Sequence, residues 1–394
     1  MDPVRNPYAP GAGNPPPELA GRLGLLDDIE IALRRIALGR PAQSVILTGL
    51  RGVGKTVLLV RIGAIAEELG YRTLTMEAHD GRRLADLLIP GLRAALLQFS
   101  GMAKAAEAAR SGLRVLKSFL HGLSLKVNDV ELALTLDPET GAADSGALEN
   151  DLPALLVAVA QAARAADRPM ALLLDELQYL SAAEFSALIM AMHRVSQLNL
   201  PLLFAGAGLP QLPALVGQSK TYAERMFQFP AIGALCPQDA RIAIAKPAEA
   251  EGASVDPDAL DEIIRLTEGY PYFIQQWSHD AWNIATDPRI TRRDVLNATP
   301  TTLRILDRDF FRVRFERCNA YERRYLRALA DLGPGPHRSG AVARHLGVKT
   351  TSLAPARDKL IRKGMIYAPQ YGDIAFTVPL FDTYMKRAVP ADPP

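Results

Sequence analysis

The sequence predicts an α/β protein: a parallel sheet flanked by helices, then a helical segment, then a small C-terminal domain of helices and a hairpin. Three observations carry that expectation. Short apolar runs such as Ser44-Val45-Ile46-Leu47-Thr48 and Met170-Ala171-Leu172-Leu173-Leu174 lack the alternation of a half-exposed strand, as strands covered on both faces do. Stretches with helical periodicity separate these runs. A glycine-rich turn, Gly49 to Thr56, joins the first run to a helical one.

The first helical pattern sets Leu25, Leu26, Ile29, Leu33 and Ile36 on one face and stops at Gly39-Arg40-Pro41. Beyond the strand Ser44 to Thr48, further buried strands are expected at Arg72 to Met76, Met170 to Leu174, Pro201 to Ala205 and Phe227 to Ile232. Residues 79–150 are far longer than a usual crossover. They begin with an Ala- and Leu-rich helical stretch and then alternate as Ser124 to Val127 and Val130 to Leu134, which reads as a β-hairpin around Asn128-Asp129. Residues 237–299 read as wholly helical. The expected divisions are an extended, proline-rich linker at 1–20, a core at 21–236, a helical lid at 237–300, a connector at 301–318 and a C-terminal domain at 319–390.

A chain of 394 residues exceeds the size at which one core keeps growing, so two or three domains are expected. With 48% hydrophobic and 22% charged residues, wholesale disorder is excluded. The net charge of +2 argues against a uniformly basic coat, but it conceals a division. Residues 1–300 carry 28 basic and 34 acidic side chains, whereas residues 301–394 carry 17 and 9, a net of +8. A polyanion-binding surface is therefore expected at the C-terminal end. Cys236 and Cys318 have no metal-ligand spacing with the histidines and read as ordinary thiols of a reducing compartment. The first residues lack the basic and apolar regions of a signal peptide, and no run approaches about 18 apolar residues. A cytoplasmic protein with no membrane contact is expected.

The strongest motif is Gly49-Leu50-Arg51-Gly52-Val53-Gly54-Lys55-Thr56, followed by a helical run from Val57 to Leu69. Glycines let successive backbone N–H groups converge on phosphate oxygens, and the following helix N-terminus adds partial positive charge. In this pattern Lys55 neutralises the β- and γ-phosphates and Thr56 presents its hydroxyl to Mg²⁺. The run ending Leu174-Asp175-Glu176 places two carboxylates at the carboxyl edge of a buried strand, where such sheets bind ligands. Asp175 is expected to hold Mg²⁺ and Glu176 to polarise an attacking water. The alternative is a helix whose first turn happens to be acidic.

With both motifs in place, the chain resembles an AAA+ P-loop ATPase, of the branch shared by STAND-type and origin-recognition-like ATPases (archaeal-type, AAA-16-like), with a C-terminal winged helix. The resemblance implies ATP and Mg²⁺ as cofactors, nucleotide contacts along Gly49 to Val57, and hydrolysis to ADP and phosphate. Asn6-Pro7-Tyr8 with Gly21-Arg22 resembles the start of that branch, which implies an adenine contact near Arg22. Glu268-Gly269-Tyr270-Pro271-Tyr272-Phe273 resembles the "GxP" lid turn, with Pro271 near the base. Arg225 lies where the family carries an arginine finger reaching a neighbouring subunit, implying a homo-oligomer; a pair with a carboxylate such as Glu224 is the other reading. Two departures point to slow turnover. The fourth strand ends Phe204-Ala205-Gly206-Ala207-Gly208-Leu209-Pro210, with no polar sensor, and the lid turn has no arginine.

From about residue 319 the pattern is that of a winged helix: Tyr321 to Leu332, a short helix from Ser339, a third from Thr351 to Lys363, and a hairpin over Met365 to Val378. The third helix and its approach carry Lys349, Thr351, Arg357, Arg362 and Lys363, groups suited to phosphates and base edges of duplex DNA. Pro355 reads as the first residue of that helix proper. Winged helices also serve as protein clamps, so two functions remain in view. One is an ATPase whose nucleotide state controls oligomerisation and DNA binding; the other is a STAND-like signalling switch whose winged helix docks an unidentified protein.

Overall fold

The computed structural model describes residues 1–11, 13–123, 137–139, 141–219 and 223–389. Two compact units are present, one made of Gly24–Thr48 and Lys55–Ala231, the other of Met1–Leu23, Gly49–Gly54 and Ile232–Pro394.

The first unit is a five-stranded parallel sheet. Its strands are β1 (Ser44–Thr48), β2 (Arg72–Glu77), β3 (Met170–Asp175), β4 (Leu202–Gly208) and β5 (Phe227–Gln228), in the order β2-β3-β4-β1-β5. Every residue of β1, β3 and β4 is buried, which is why these runs are apolar apart from Ser44, Thr48 and Asp175 at their ends. The edge strand β2 buries only Leu74 fully. The expected fifth strand, Phe227 to Ile232, pairs over two residues and then through a single bridge from Thr48 to Ala231, because Pro230 offers no amide to continue the ladder.

The long segment after β2 contributes helices Leu84–Ser100 and Ala106–Gly122, which join Leu148–Ala165 and Ala182–Gln197 on the sheet. Leu92, Phe99, Leu116 and Phe119 are fully buried in the same core as Leu172 and Phe204. Burying each such side chain contributes about 1.5–3 kcal/mol, so these helices are structural parts of the core. The hairpin expected over Ser124 to Leu134 lies outside the described residues.

The second unit begins with the proline-rich segment, which packs on the helical part: Tyr8 is buried and donates to the Ile244 carbonyl at 2.5 Å, and the Trp282 indole donates to Asp2 O at 2.9 Å. The helical part contains two short paired strands that the helical reading of 237–299 lacks, β6 (Ser254–Val255) and β7 (Arg289–Ile290). The helix Arg292–Ile305 passes through a π-helical stretch, Leu306–Phe311, into Arg312–Glu316. That stretch turns Phe310 and Phe311 inward. Phe310 stacks on Tyr272 at 4.6 Å and Phe311 on Tyr384 at 5.3 Å, so helical part, connector and C-terminal domain share one aromatic seam.

The C-terminal domain packs helices Ala320–Asp331, Ser339–His345 and Thr350–Arg362 against an antiparallel sheet ordered β8-β10-β9. The strands are β8 (His337–Arg338), β9 (Ile366–Tyr367) and β10 (Asp373–Phe376). This is the winged arrangement, with β8 added to the expected hairpin. Pro355 sits inside the third helix, which begins at Thr350. It is therefore not that helix's first residue, and its missing amide forgoes the bond to the Thr351 carbonyl four residues back.

One ion pair ties this domain together. Lys363 Nζ donates to Glu322 at 2.6 Å and to Arg317 O at 2.8 Å, and Glu322, 1% exposed, also accepts from the Asn319 amide that it caps. Burial pushes the Glu322 carboxyl up, but Lys363 and the Asn319 amide outweigh it and hold the group below its ordinary value. A depressed carboxylate stabilises the fold above its unfolded value and loses that contribution as pH falls through the folded one. Glu322→Gln should therefore lower the melting temperature near pH 7, and the gap from wild type should close as the pH falls below the ordinary carboxylate range. Lys363→Ala, which leaves the buried charge alone, should cost about 2–3 kcal/mol by denaturant titration near neutral pH.

Candidate functional site

Three parallel strands deliver their carboxyl ends to one edge of the first unit: Thr48 of β1, Asp175 of β3 and Gly208 of β4. The motif between β1 and the helix Lys55–Glu68 runs along the chain from one unit into the other, Gly49–Gly54 counting with the second and Lys55 onward with the first.

In the first unit, Lys55 and Thr56 open a 14-residue helix. Lys55 is buried, and Thr56 Oγ1 donates to Asp175 Oδ2 at 2.5 Å. The other Asp175 oxygen accepts from the Glu176 amide at 2.7 Å. Burial raises the Asp175 carboxyl above its ordinary value; the Thr56 hydroxyl and Glu176 amide pull it back, the Glu176 charge pushes it up again, and Lys55 lowers it. Two hard oxygen donors in contact, next to a buried ammonium, fit an octahedral Mg²⁺ that keeps most of its waters. Among the described residues no cluster of three or more His, Cys, Asp or Glu side chains forms an all-protein metal cage.

Glu176 follows in the left-handed conformation, φ 56° and ψ 40°, at the start of the 3-10 turn Leu177–Tyr179. For a residue with a Cβ this costs about 1–2 kcal/mol. The turn sends the chain back under the strand end, so that the Gln178 amide donates to Glu176 Oε2 and its oxygen accepts from the Leu209 amide at 3.2 Å.

In the second unit, Gly52 and Gly54 take φ of +85° and +94°, conformations that L side chains rarely adopt. Val53 is buried between them. Tyr272 N–H donates to Gly52 O at 3.3 Å, and the Tyr270 ring lies against Gly52. Pro271 is the first residue of the helix Pro271–Ile284. Arg51 N–H donates at 3.3 Å to Thr377 O, just past β10, and its guanidinium lies beside Gly364. The loop is thus contacted by both the lid turn and the winged domain. Arg22 donates to Gly233 O at 2.5 Å, and burial lowers its guanidinium while Asp239 opposes the shift.

Other expected residues lie apart from these. Arg225 is exposed in the short helix Ala223–Met226, and its guanidinium makes no ion pair among the described residues. Lys349, Thr351 and Arg362 are exposed, Arg357 pairs with Asp358 at 3.2 Å, and Lys363 is held by Glu322. Tyr371, in the turn between β9 and β10, is 99% exposed. Sequence reasoning gave no weight to the Arg51 contact with Thr377, since no pattern links residues so far apart.

Residues 18–205 match the family described as AAA ATPase domain, and residues 308–385 match a Domain of unknown function (DUF8462). No curated protein matches the sequence. A Walker-type ATPase of Pyrococcus abyssi is similar in structure, with TM-score 0.57 and 14% identity over 93% of this chain and 96% of that one. The Aeropyrum pernix Orc1 protein in complex with DNA gives TM-score 0.47 and 14% identity over 97% and 96%. The Thermotoga maritima RuvB Holliday junction branch migration motor gives 0.42 and 16% over 95% and 96%. Among the described residues no helix is long and apolar enough to cross a membrane. The phosphate-loop sequence and the Asp175-Glu176 strand end both fall within residues 18–205, so this stretch of the chain carries an AAA ATPase domain.

Proposed function

We propose that the protein binds ATP with Mg²⁺, hydrolyses it slowly, and uses the nucleotide state to control oligomerisation and the binding of duplex DNA by its winged domain. The observation that carries this reading is the hydrogen bond from the Arg51 amide, inside the phosphate loop, to Thr377 O beside the wing. A loop that reshapes around phosphates cannot leave that contact unchanged. The aromatic seam from Tyr272 through Phe310 and Phe311 to Tyr384 gives the lid turn a second route to the same domain.

In this reading the loop amides and Lys55 hold the phosphates, and Glu176 accepts the proton of the attacking water. Mg²⁺ held by Thr56 and Asp175 would offset the charge on the β- and γ-phosphates. Slow turnover follows from Ala207 and Gly208 at the end of β4 and from a lid turn without arginine. Arg225 is the arginine offered to a neighbouring subunit, and Arg22 and Pro271 lie toward the base. For DNA, Lys349, Thr351 and Arg362 present exposed polar ends, with Arg357 on the same helix. One specific observation favours the alternative, a switch whose winged helix docks a protein: Lys363 is already neutralised by Glu322.

Lys55→Ala should weaken ATP binding by about tenfold to a hundredfold in a fluorescent-nucleotide titration; unchanged affinity removes the phosphate-site assignment. Affinity for a short duplex should fall steeply with salt, and Arg362→Ala should reduce the slope by about one. It should also differ by about fivefold or more between ATP-bound and ADP-bound protein. A flat salt response favours the protein-docking switch, and equal affinities in the two nucleotide states remove the coupling.

A further inference from the structure

β4 ends without a polar side chain: Ala207 is fully buried, and Gly208 and Leu209 follow. The space beside it is nevertheless polar, because Gln178 reaches into it from the turn after Glu176. The chemistry of its two partners fixes which end of the amide is which, since a carboxylate only accepts and a backbone N–H only donates. Gln178 Nε2 donates to Glu176 Oε2, and Gln178 Oε1 accepts from Leu209 N at 3.2 Å. Gly208 makes room for this. A Cβ there would stand 2.8 Å from Gln178 Oε1 and 2.4 Å from Leu212 Cδ1.

We infer that Gln178 is the positioning residue for Glu176. It ties the water-activating carboxylate to the main chain at the end of β4, and glycine at 208 is the condition for that bridge. The inference rests on the hydrolytic reading above. The left-handed backbone at Glu176 returns residue 178 to residue 176, and Leu177, 1% exposed, anchors the turn. The bridge holds the carboxylate by one oxygen and leaves the phosphate contacts to other residues. Its loss should therefore slow turnover without changing nucleotide affinity.

The test uses the full chain with Gln178→Ala, Gln178→Asn, Gly208→Ala, the Gln178→Ala/Gly208→Ala pair and Glu176→Gln. Each is read by steady-state ATPase rate, fluorescent-ATP affinity and melting temperature. Gln178→Ala should lower kcat by about tenfold or more with ATP affinity within about twofold. Gln178→Asn, one methylene too short to span both partners, should also lose rate. Gly208→Ala should reproduce the loss, and the pair should be no slower than Gln178→Ala alone, as residues acting through one bridge are not additive. If Gly208→Ala does not fold, the Gln178 variants decide. The inference is overturned if Gln178→Ala leaves kcat unchanged or raises it, or lowers rate, affinity and melting temperature together. Glu176→Gln separates the two levels. A slow Glu176→Gln with a wild-type Gln178→Ala sinks only the bridge, whereas a Glu176→Gln as fast as wild type sinks the hydrolytic reading and the bridge with it.

Discussion

The contact on which the site depends is the hydrogen bond from the Thr56 hydroxyl to the Asp175 carboxylate. A carboxylate at the end of a fully buried strand is costly unless its oxygens are satisfied. Here one oxygen takes the Thr56 hydroxyl and the other the Glu176 amide, while Lys55 supplies the compensating charge. The same bond joins the first turn of the phosphate-loop helix to β3. Local backbone follows from it: with its amide held by Asp175, Glu176 adopts the left-handed turn that brings Gln178 round to the end of β4. Helix start, strand end and neighbouring strand are thereby linked by three side chains.

The second unit is organised around the glycine part of the same loop. Tyr272 contacts Gly52 through its amide, and its ring stacks on Phe310, next to Phe311 and the C-terminal helix bearing Tyr384. Each such aromatic pair adds about 0.5–1.5 kcal/mol beyond burial, so the rings join the turn at Tyr272, the π-helical stretch and the C-terminal helix in one packed row. The π-helical stretch Leu306–Phe311 sets the register of that seam, since an ordinary α-helical continuation would rotate the two phenylalanines away from one another's partners.

Much of this was legible because it rests on local pattern. Buried strands are short and apolar between their ends, the phosphate loop is a contiguous motif, and Asp175-Glu176 ends a run whose burial the sequence declares. What escaped was either very short or made by distant residues. β6, β7 and β8 are two-residue strands with no period to detect. The early end of β5 follows from Pro230, a residue visible in the sequence whose effect depends on which neighbour its nitrogen would face. The helices between Leu84 and Gly122 belong to a segment too long for a usual crossover, and only the fold shows that their apolar faces complete the core. Lys363 looked like any other base on the third helix, and only the fold brings Glu322 to it from 41 residues away. Gln178 has a local signal, an amide two residues beyond an acidic strand end, but its bond to the Leu209 amide is made only by the fold.

Whether Thr56 and Asp175 hold a metal as one pair is tested most directly by ATP affinity with and without Mg²⁺ in wild type and Asp175→Asn. Wild type should bind ATP about tenfold or more tightly with Mg²⁺ present, and Asp175→Asn should lose that gain while keeping its Mg²⁺-free affinity. An Asp175→Asn protein that retains the full gain would contradict it.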